Sequence, residues 1–313
     1  MRPILFAVAL WVFANSACAQ AGVTKLVVPY PAGGITDQAA RIVGERMTRE
    51  LGVPVIVDNR PGAAGRLAVD AVAKAAPDGN TLLFTNSSYS ILPIIDPKAQ
   101  YDPLKTLAPV GTAATYGLQI VASVNVPSNT LPEFIAYAKT HPGKLSYGSS
   151  GFGSGSNFAG EYMKSLTGTF IVHVPYKSTS AALIDVAAGV LDLAFDASAK
   201  PLVDAGRVKL LALTGSKRDV RFPNTPTAQE AGLNGFVLES WVGILAPAAT
   251  PLETLLRLNR AVANSIDDPM VRRQLLEIGL QPDSGPAGQF GNTIRRELTL
   301  HRKIAADAKL KFE

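Results

Sequence analysis

Few side chains in this sequence are of the kind that make or break covalent bonds. Cys18 is the only cysteine, and the three histidines, His141, His173 and His301, are not spaced to other ligand-type residues as a metal site requires. Asp37 and Asp196 are candidate carboxylates for acid–base work, but nothing pairs them in sequence. Asp37 opens an expected helix, where capping is the default role. Asp196 ends an expected strand, where it faces either a ligand or a turn. Ser149, Ser150 and Ser154 would be the nucleophiles of a hydrolase, yet the chain lacks a G-x-S-x-G elbow and any base in a recognisable motif. The chemistry on offer is non-covalent. Two glycine-rich loops, Ala32-Gly33-Gly34-Ile35-Thr36 and Tyr147-Gly148-Ser149-Ser150-Gly151-Phe152-Gly153-Ser154-Gly155-Ser156-Asn157, combine bare backbone N–H groups with hydroxyls, a donor set that suits an anion.

Each loop lies between an expected strand and an expected helix. Leu26 to Pro29 is a short apolar strand ending in a Tyr-Pro turn. Ala39, Val43, Met47 and Leu51 then repeat at helical spacing, and Gly52 stands where a left-handed residue ends a helix. The second loop has the strand Leu145 to Gly148 before it and the helix Asn157 to Leu166 after it. Both loops therefore sit at the positive end of a helix dipole. The second is neither a Walker loop nor a strict G-x-G-x-x-G, since Ser156 takes the last position. A tight connection at Gly33-Gly34, and a flexible surface loop at 147–157, remain the alternatives.

The N-terminus has the form of a secretory signal. Arg2 precedes the apolar run Ile4 to Phe13, which is too short to span a bilayer, and Ala17-Cys18-Ala19 has the small-x-small form of a cleavage site. Cleavage is expected before Gln20; Asn15 weakens a lipoprotein reading at Cys18. Cleavage would remove the one cysteine and with it disulfides and thiol chemistry, so export without disulfides points to the bacterial periplasm. The formal charge of +5 is small for 313 residues and carries no like-charge run, which argues against nucleic acid. The cluster Arg295, Arg296, Arg302, Lys303, interleaved with Glu297, reads as a solvated helix face.

About 294 mature residues suit two domains. Val53 to Val57 reads as a strand, Ala63 to Ala76 as a helix and Thr81 to Thr85 as a strand. A second round begins near Leu118 with LQIVASV. It continues with a Thr130-capped helix ending at Gly143, the strand Phe170 to Val174, the helix Ser180 to Ala188 and the strands Leu191 to Phe195 and Lys209 to Thr214. Phe236 to Leu245 leads back, and the remainder from Pro251 is mostly helical. This order predicts an α/β protein with parallel sheets covered by helices. The chain crosses between units near residues 120 and 242, giving a first domain of 20–120 and 243–313 and a second of 121–242.

Several segments together resemble the tripartite tricarboxylate transporter receptors, often called Bug proteins. They are Tyr30-Pro31-Ala32-Gly33-Gly34-Ile35-Thr36-Asp37, Val57-Asp58-Asn59-Arg60-Pro61-Gly62-Ala63-Ala64-Gly65 and Pro77-Asp78-Gly79-Asn80-Thr81-Leu82-Leu83. They continue through Tyr147 to Glu161, His173-Val174-Pro175-Tyr176-Lys177, Phe195-Asp196, Pro226-Thr227-Ala228-Gln229-Glu230-Ala231-Gly232 and Trp241. The resemblance spans the mature chain in order. It implies a monomeric, non-enzymatic periplasmic solute-binding protein of the type II, Venus-flytrap kind: two α/β domains, each a mostly parallel sheet flanked by helices, joined by two crossovers and closing on a small carboxylated ligand. A dicarboxylate, an amino acid or an aromatic acid would be delivered to the membrane permease without any cofactor. It implies ligand contacts from Tyr30, Ala32, Gly33, Gly34, Thr36, Asp37 and Ser87, from Ser149, Ser150, Gly151, Gly153, Ser154 and Asn157, and from Tyr176 and Asp196. Two departures, Asn157 for the usual His and Ser178 for the usual Gly, lie near the expected cleft. A sensor subunit for a membrane kinase would use the same loaded form; a serine hydrolase is the rival from another class.

Overall fold

The computed structural model describes residues 22–307. The expected signal segment and the cleavage point before Gln20 lie outside the described residues. The chain runs β1 (Thr24–Val28), α1 (Ile35–Leu51), β2 (Val55–Asn59), a 3₁₀ turn at Ala63–Gly65, α2 (Arg66–Ala73), β3 (Thr81–Asn86), α3 (Ser88–Ile95) and the long β4 (Leu107–Gly117). It passes through Leu118 into a second unit: β5 (Gln119–Ser123), α4 (Leu131–Thr140), β6 (Ser146–Ser149), α5 (Gly155–Thr167), β7 (Val172–Pro175), α6 (Thr179–Ala187), β8 (Leu193–Asp196), α7 (Lys200–Asp204) and β9 (Val208–Leu213). It then returns as β10 (Glu239–Pro247), α8 (Leu252–Asp267), α9 (Pro269–Glu277), β11 (Gln281–Pro282) and α10 (Ala287–Asp307).

The strands form two sheets, ordered β11-β4-β10-β3-β1-β2 and β7-β6-β8-β5-β9. Two α/β units flanked by helices stand as the element order implied, but strand directions are mixed and not mostly parallel. Pairing is parallel where a helix crosses over, β1 with β2 and β3, and β6 with β7 and β8. The strands that carry the chain between units enter their sheet from the cleft end, so they run the other way. β10 is antiparallel to β3 and β4, and β5 is antiparallel to β8 and β9.

Alternation along β1 shows how the first sheet is covered on both sides. Leu26 and Val28 pack with Ala39, Val43 and Met47 of α1, while Val27 packs on the other face with Val69 and Val72 of α2 and with Trp241 and Phe290. Gly52, at φ 69, ends α1 with its N–H on the Thr48 carbonyl. Thr130 caps α4 through the Glu133 N–H, as its position before Pro132 predicts. The helix expected over 63–76 is broken: Ala63, Ala64 and Gly65 all have positive φ, and α2 proper starts at Arg66. The units also touch away from the crossovers. Ile91 of α3 and Ile304 of α10 belong to the core of the second unit, while Phe290 and Ile294 of α10 belong to the first.

Candidate functional site

Both glycine-rich loops are built to one plan. In the first, Gly33 has φ 89, Gly34 is the extended N-cap of α1 at φ −71 and ψ 163, and Asp37 lies in the first turn. The Asp37 carboxylate turns back to accept the Gly33 N–H at 2.8 Å, and also bonds Asn59 Nδ2 at 2.9 Å and Arg41 Nε at 3.0 Å. Burial works against its ionisation, but Arg41, the Gly33 N–H and Asn59 together hold its pKa below the ordinary carboxylate value. In the second loop, Gly153 has φ 75, Ser154 is the N-cap at φ −72 and ψ 159, and Asn157 occupies the place of Asp37. Asn157 Oδ1 accepts the Gly153 N–H at 3.0 Å, and its Nδ2 donates to the Tyr147 hydroxyl at 2.8 Å. Tyr147 in turn donates to Glu161 at 2.7 Å.

This plan corrects the expectation that both glycines of the first loop offer bare donors. The Gly33 N–H is occupied by Asp37; the N–H groups of Gly34, Ile35 and Thr36 have no acceptor among the described residues. In the second loop the same holds for Gly155 and Ser156. The two departures from the family pattern are also local in effect. Asn157 is fully buried and shapes its loop, and Ser178 is the N-cap of α6, accepting from the Ala181 N–H at 3.1 Å.

Two of the cavities between the units involve these loops or the residues beside them. One, of about 350 Å³, brings Tyr30 and Pro31 opposite Ser150, Phe152, Gly153 and Ser154, with Ser88 and Ile95 of α3 in its wall. The other, of about 830 Å³, sets Gly33, Gly34 and Ile35 against Thr179, Ser180, Asp196 and Ser198. The second loop thus faces the residues just before the first loop across the first cavity, and the start of α1 meets the start of α6 across the second. Ala32 and Gly151 are not among the lining residues of either.

Other expected site residues support the walls from behind. The Tyr30 hydroxyl donates to Asn86 Oδ1 at 2.6 Å, and Asn86 Nδ2 bonds the hydroxyl of buried Thr36 at 3.1 Å. The Ser87 hydroxyl is buried against β10, accepting the Trp241 N–H at 3.0 Å; its neighbour Ser88 reaches the cavity. The Tyr176 hydroxyl is held by Asp185 at 2.6 Å. Ser88, Phe152, Thr179, Ser180 and Ser198 went unread in the sequence, although Thr179 and Ser180 follow a strand and open a helix as the two loops do.

Among the described residues, Ser149 and His173 form an arrangement that looks catalytic. Ser149 Oγ is 2.6 Å from His173 Nε2, within the reach of a nucleophile and its base. The remaining geometry denies it that role. Ser149 is fully buried, and its hydroxyl also accepts the Gly151 N–H at 3.1 Å. His173 Nδ1 is buried with no partner, so no third group orients the ring, and burial lowers the pKa of the imidazole. Among the described residues, no group of His, Cys, Asp and Glu could hold a metal ion, and no helix is long and apolar enough to cross a membrane.

Two α/β units joined by crossover strands, with helix N-termini from each facing the space between them, define a two-domain solute-binding protein. A family model described as the tripartite tricarboxylate transporter family receptor matches residues 39–310. The chain belongs to that family. It is 32% identical over 295 residues to the protein BugT of Bordetella pertussis, covering 92% of this chain and 90% of BugT. An R. palustris protein solved with adipate superposes with a TM-score of 0.81 at 32% identity, covering 93% of this chain and 98% of the other. MatC from Rhodopseudomonas palustris, with bound malate, gives 0.77 at 32% identity, covering 91% and 99%. The chain is thus a periplasmic solute-binding receptor and not an enzyme.

Proposed function

We propose that this receptor captures a small carboxylated compound between its two units and delivers it to the permease of a tripartite tricarboxylate transporter. The observation that carries the reading is the matched pair of helix starts, one in each unit, whose loops line adjoining cavities between the units. Each is opened by a positive-φ glycine whose own N–H is tied back by the first-turn acceptor, leaving the N–H groups of Gly34, Ile35 and Thr36 in one and of Gly155 and Ser156 in the other without partners among the described residues. Backbone donors at a helix start favour an anion, and donors from both units favour the form in which the cleft is closed around it. The adipate and malate held by two relatives of the same fold are small carboxylates, which supports this class. The domain division at 120 and 242 then supplies the hinges, and the exported chain begins at Gln20.

Isothermal calorimetry with succinate, malate, adipate, aspartate and benzoate, alongside melting in the same ligands, tests the reading. Saturable binding of at least one, with a modest compaction in small-angle scattering, is the expected result. No heat and no melting shift with any of the five, at millimolar concentration, would overturn it.

A further inference from the structure

The larger cavity has an acceptor at one end that no donor among the described residues answers. Asp196 closes β8 and is 2% exposed. Its Oδ1 accepts both the N–H and the hydroxyl of Ser198. Its Oδ2 receives no hydrogen bond from the described residues, and Asp196 is part of the cavity wall that also holds Gly33 and Gly34. The two cations of that wall are already engaged. Lys200 holds both oxygens of Asp204 at 2.9 Å, and Arg221 is fastened to Asp219, its closest contact being 2.6 Å. Glu277, the remaining charged lining group, adds a further negative charge, with Arg273 3.9 Å away.

Asp196 Oδ2 is not sealed in the protein but opens on the cavity, and a ligand that closes the cleft would strip its water, so a donor on the ligand must replace that water. Across the same cavity stand the Gly34 and Ile35 N–H groups, which have no acceptor among the described residues. One wall asks for an anion and the other for a hydrogen-bond donor. We infer that the preferred ligand is a carboxylate that also bears a hydroxyl or amino group, with its carboxylate at the start of α1 and its donor on Asp196. This deepens the proposed capture of a carboxylate and rests on it. A plain dicarboxylate lacks the donor and would leave Asp196 unanswered, with a second negative charge brought towards it.

Matched pairs of acids isolate the donor. Malate and aspartate are compared with succinate, and 2-hydroxyglutarate and glutamate with glutarate, by calorimetry on the mature wild type. The hydroxylated or aminated member of at least one pair should bind ten-fold tighter or more than its plain partner. Asp196→Asn keeps an oxygen for Ser198 but replaces the open oxygen by a donor. It should bring the members of that pair to within about three-fold of each other while retaining carboxylate binding. Equal affinities within both sets in the wild type, or a preference that survives intact in Asp196→Asn, would overturn the inference. If Asp196→Asn does not fold, the wild-type pairs alone decide. Binding of plain and substituted acids alike refutes only the donor requirement, whereas binding of none removes the carboxylate reading with it.

Discussion

Gly34 is the place where the anion reading is most exposed to refutation. Its φ of −71 is open to any residue, and a Cβ built there would meet only the Pro31 carbonyl oxygen, at 3.8 Å. Gly34→Val therefore adds a branched side chain on the cavity side with no clash inside the protein. The fold loses only the difference between Gly and Val as an N-cap, about 0.5–1 kcal/mol. On a chain this size that lowers the melting temperature by about 2–4 °C. Ligand at a hundredfold over Kd stabilises the wild type by about 2.7 kcal/mol, or about 5–10 °C. The variant should show none of this rise, because the isopropyl group occupies the approach to the Gly34 and Ile35 N–H groups. Gly33→Ala is the control with the opposite signature. At φ 89 a side chain meets backbone strain and no neighbour within 4 Å, so stability should fall by about 1–2 kcal/mol while the route to the donors stays open. The measurements are melting curves with and without the acid that binds best, and calorimetry on both variants. An unchanged Kd in Gly34→Val would refute the reasoning, since the start of α1 would then be a connection and not a cradle.

The second loop should respond to packing. Gly153→Ala would drive a Cβ into Ile95 Cδ1 at a residue with φ 75, so melting should fall by the equivalent of about 1–3 kcal/mol and affinity should weaken as the loop leaves α3. Glu297 is pushed up to about 7 by burial, partly opposed by its bonds to Ser87, Ser90 and Trp241. The folded protein therefore binds this proton more tightly than the unfolded chain, and its contribution to stability is present below pH about 4.5 and lost as pH rises through 7. Glu297→Gln, melted at pH 5 and pH 8, should match the wild type at the acidic end and exceed it by about 2–3 kcal/mol at the alkaline end; a constant difference would show that the group does not titrate there. Intact mass of material from the periplasm should correspond to a chain starting at Gln20 without lipid, and a diacylglycerol adduct at Cys18 would contradict it.

How much was legible follows from how local each signal is. The loops could be read because glycine, serine and a first-turn acceptor act within five residues, and α1 because its apolar residues repeat along one face. β4 could not. LAPVGTAATYG is small and broken by Pro and Gly, and it becomes a strand through pairing with β10, more than a hundred residues away. α3 escaped for a related reason: SYSILPII carries Pro93 inside it and has apolar residues all round, a pattern that fits a buried strand as well as a helix. Glu297 misled most. Among four basic neighbours it reads as part of a solvated face, yet it points inward, with Oε2 on Trp241 Nε1 at 2.7 Å and on the Ser90 hydroxyl. Arg295, Arg296 and Arg302 have no carboxylate partner among the described residues, so the charge balance apparent along the helix is not present on its surface.

The two loops reach the same geometry with different charge, and the difference has to be reconciled with anion binding. Asn157 is neutral, so the start of α5 keeps its full positive character. Asp37 places a negative charge one turn from the donors that would hold a carboxylate, where an unopposed charge would be repulsive. Arg41 answers it from the next turn of the helix, 3.0 Å from each carboxylate oxygen, and because Arg41 is half exposed while Asp37 is buried, the pair directs its cation towards solvent and its anion towards the Gly33 N–H. The carboxylate thereby acts on the loop as a hydrogen-bond acceptor while its field is largely cancelled at the cleft. A carboxylate in this place is compatible with capture of an acid only as long as that arginine stands beside it.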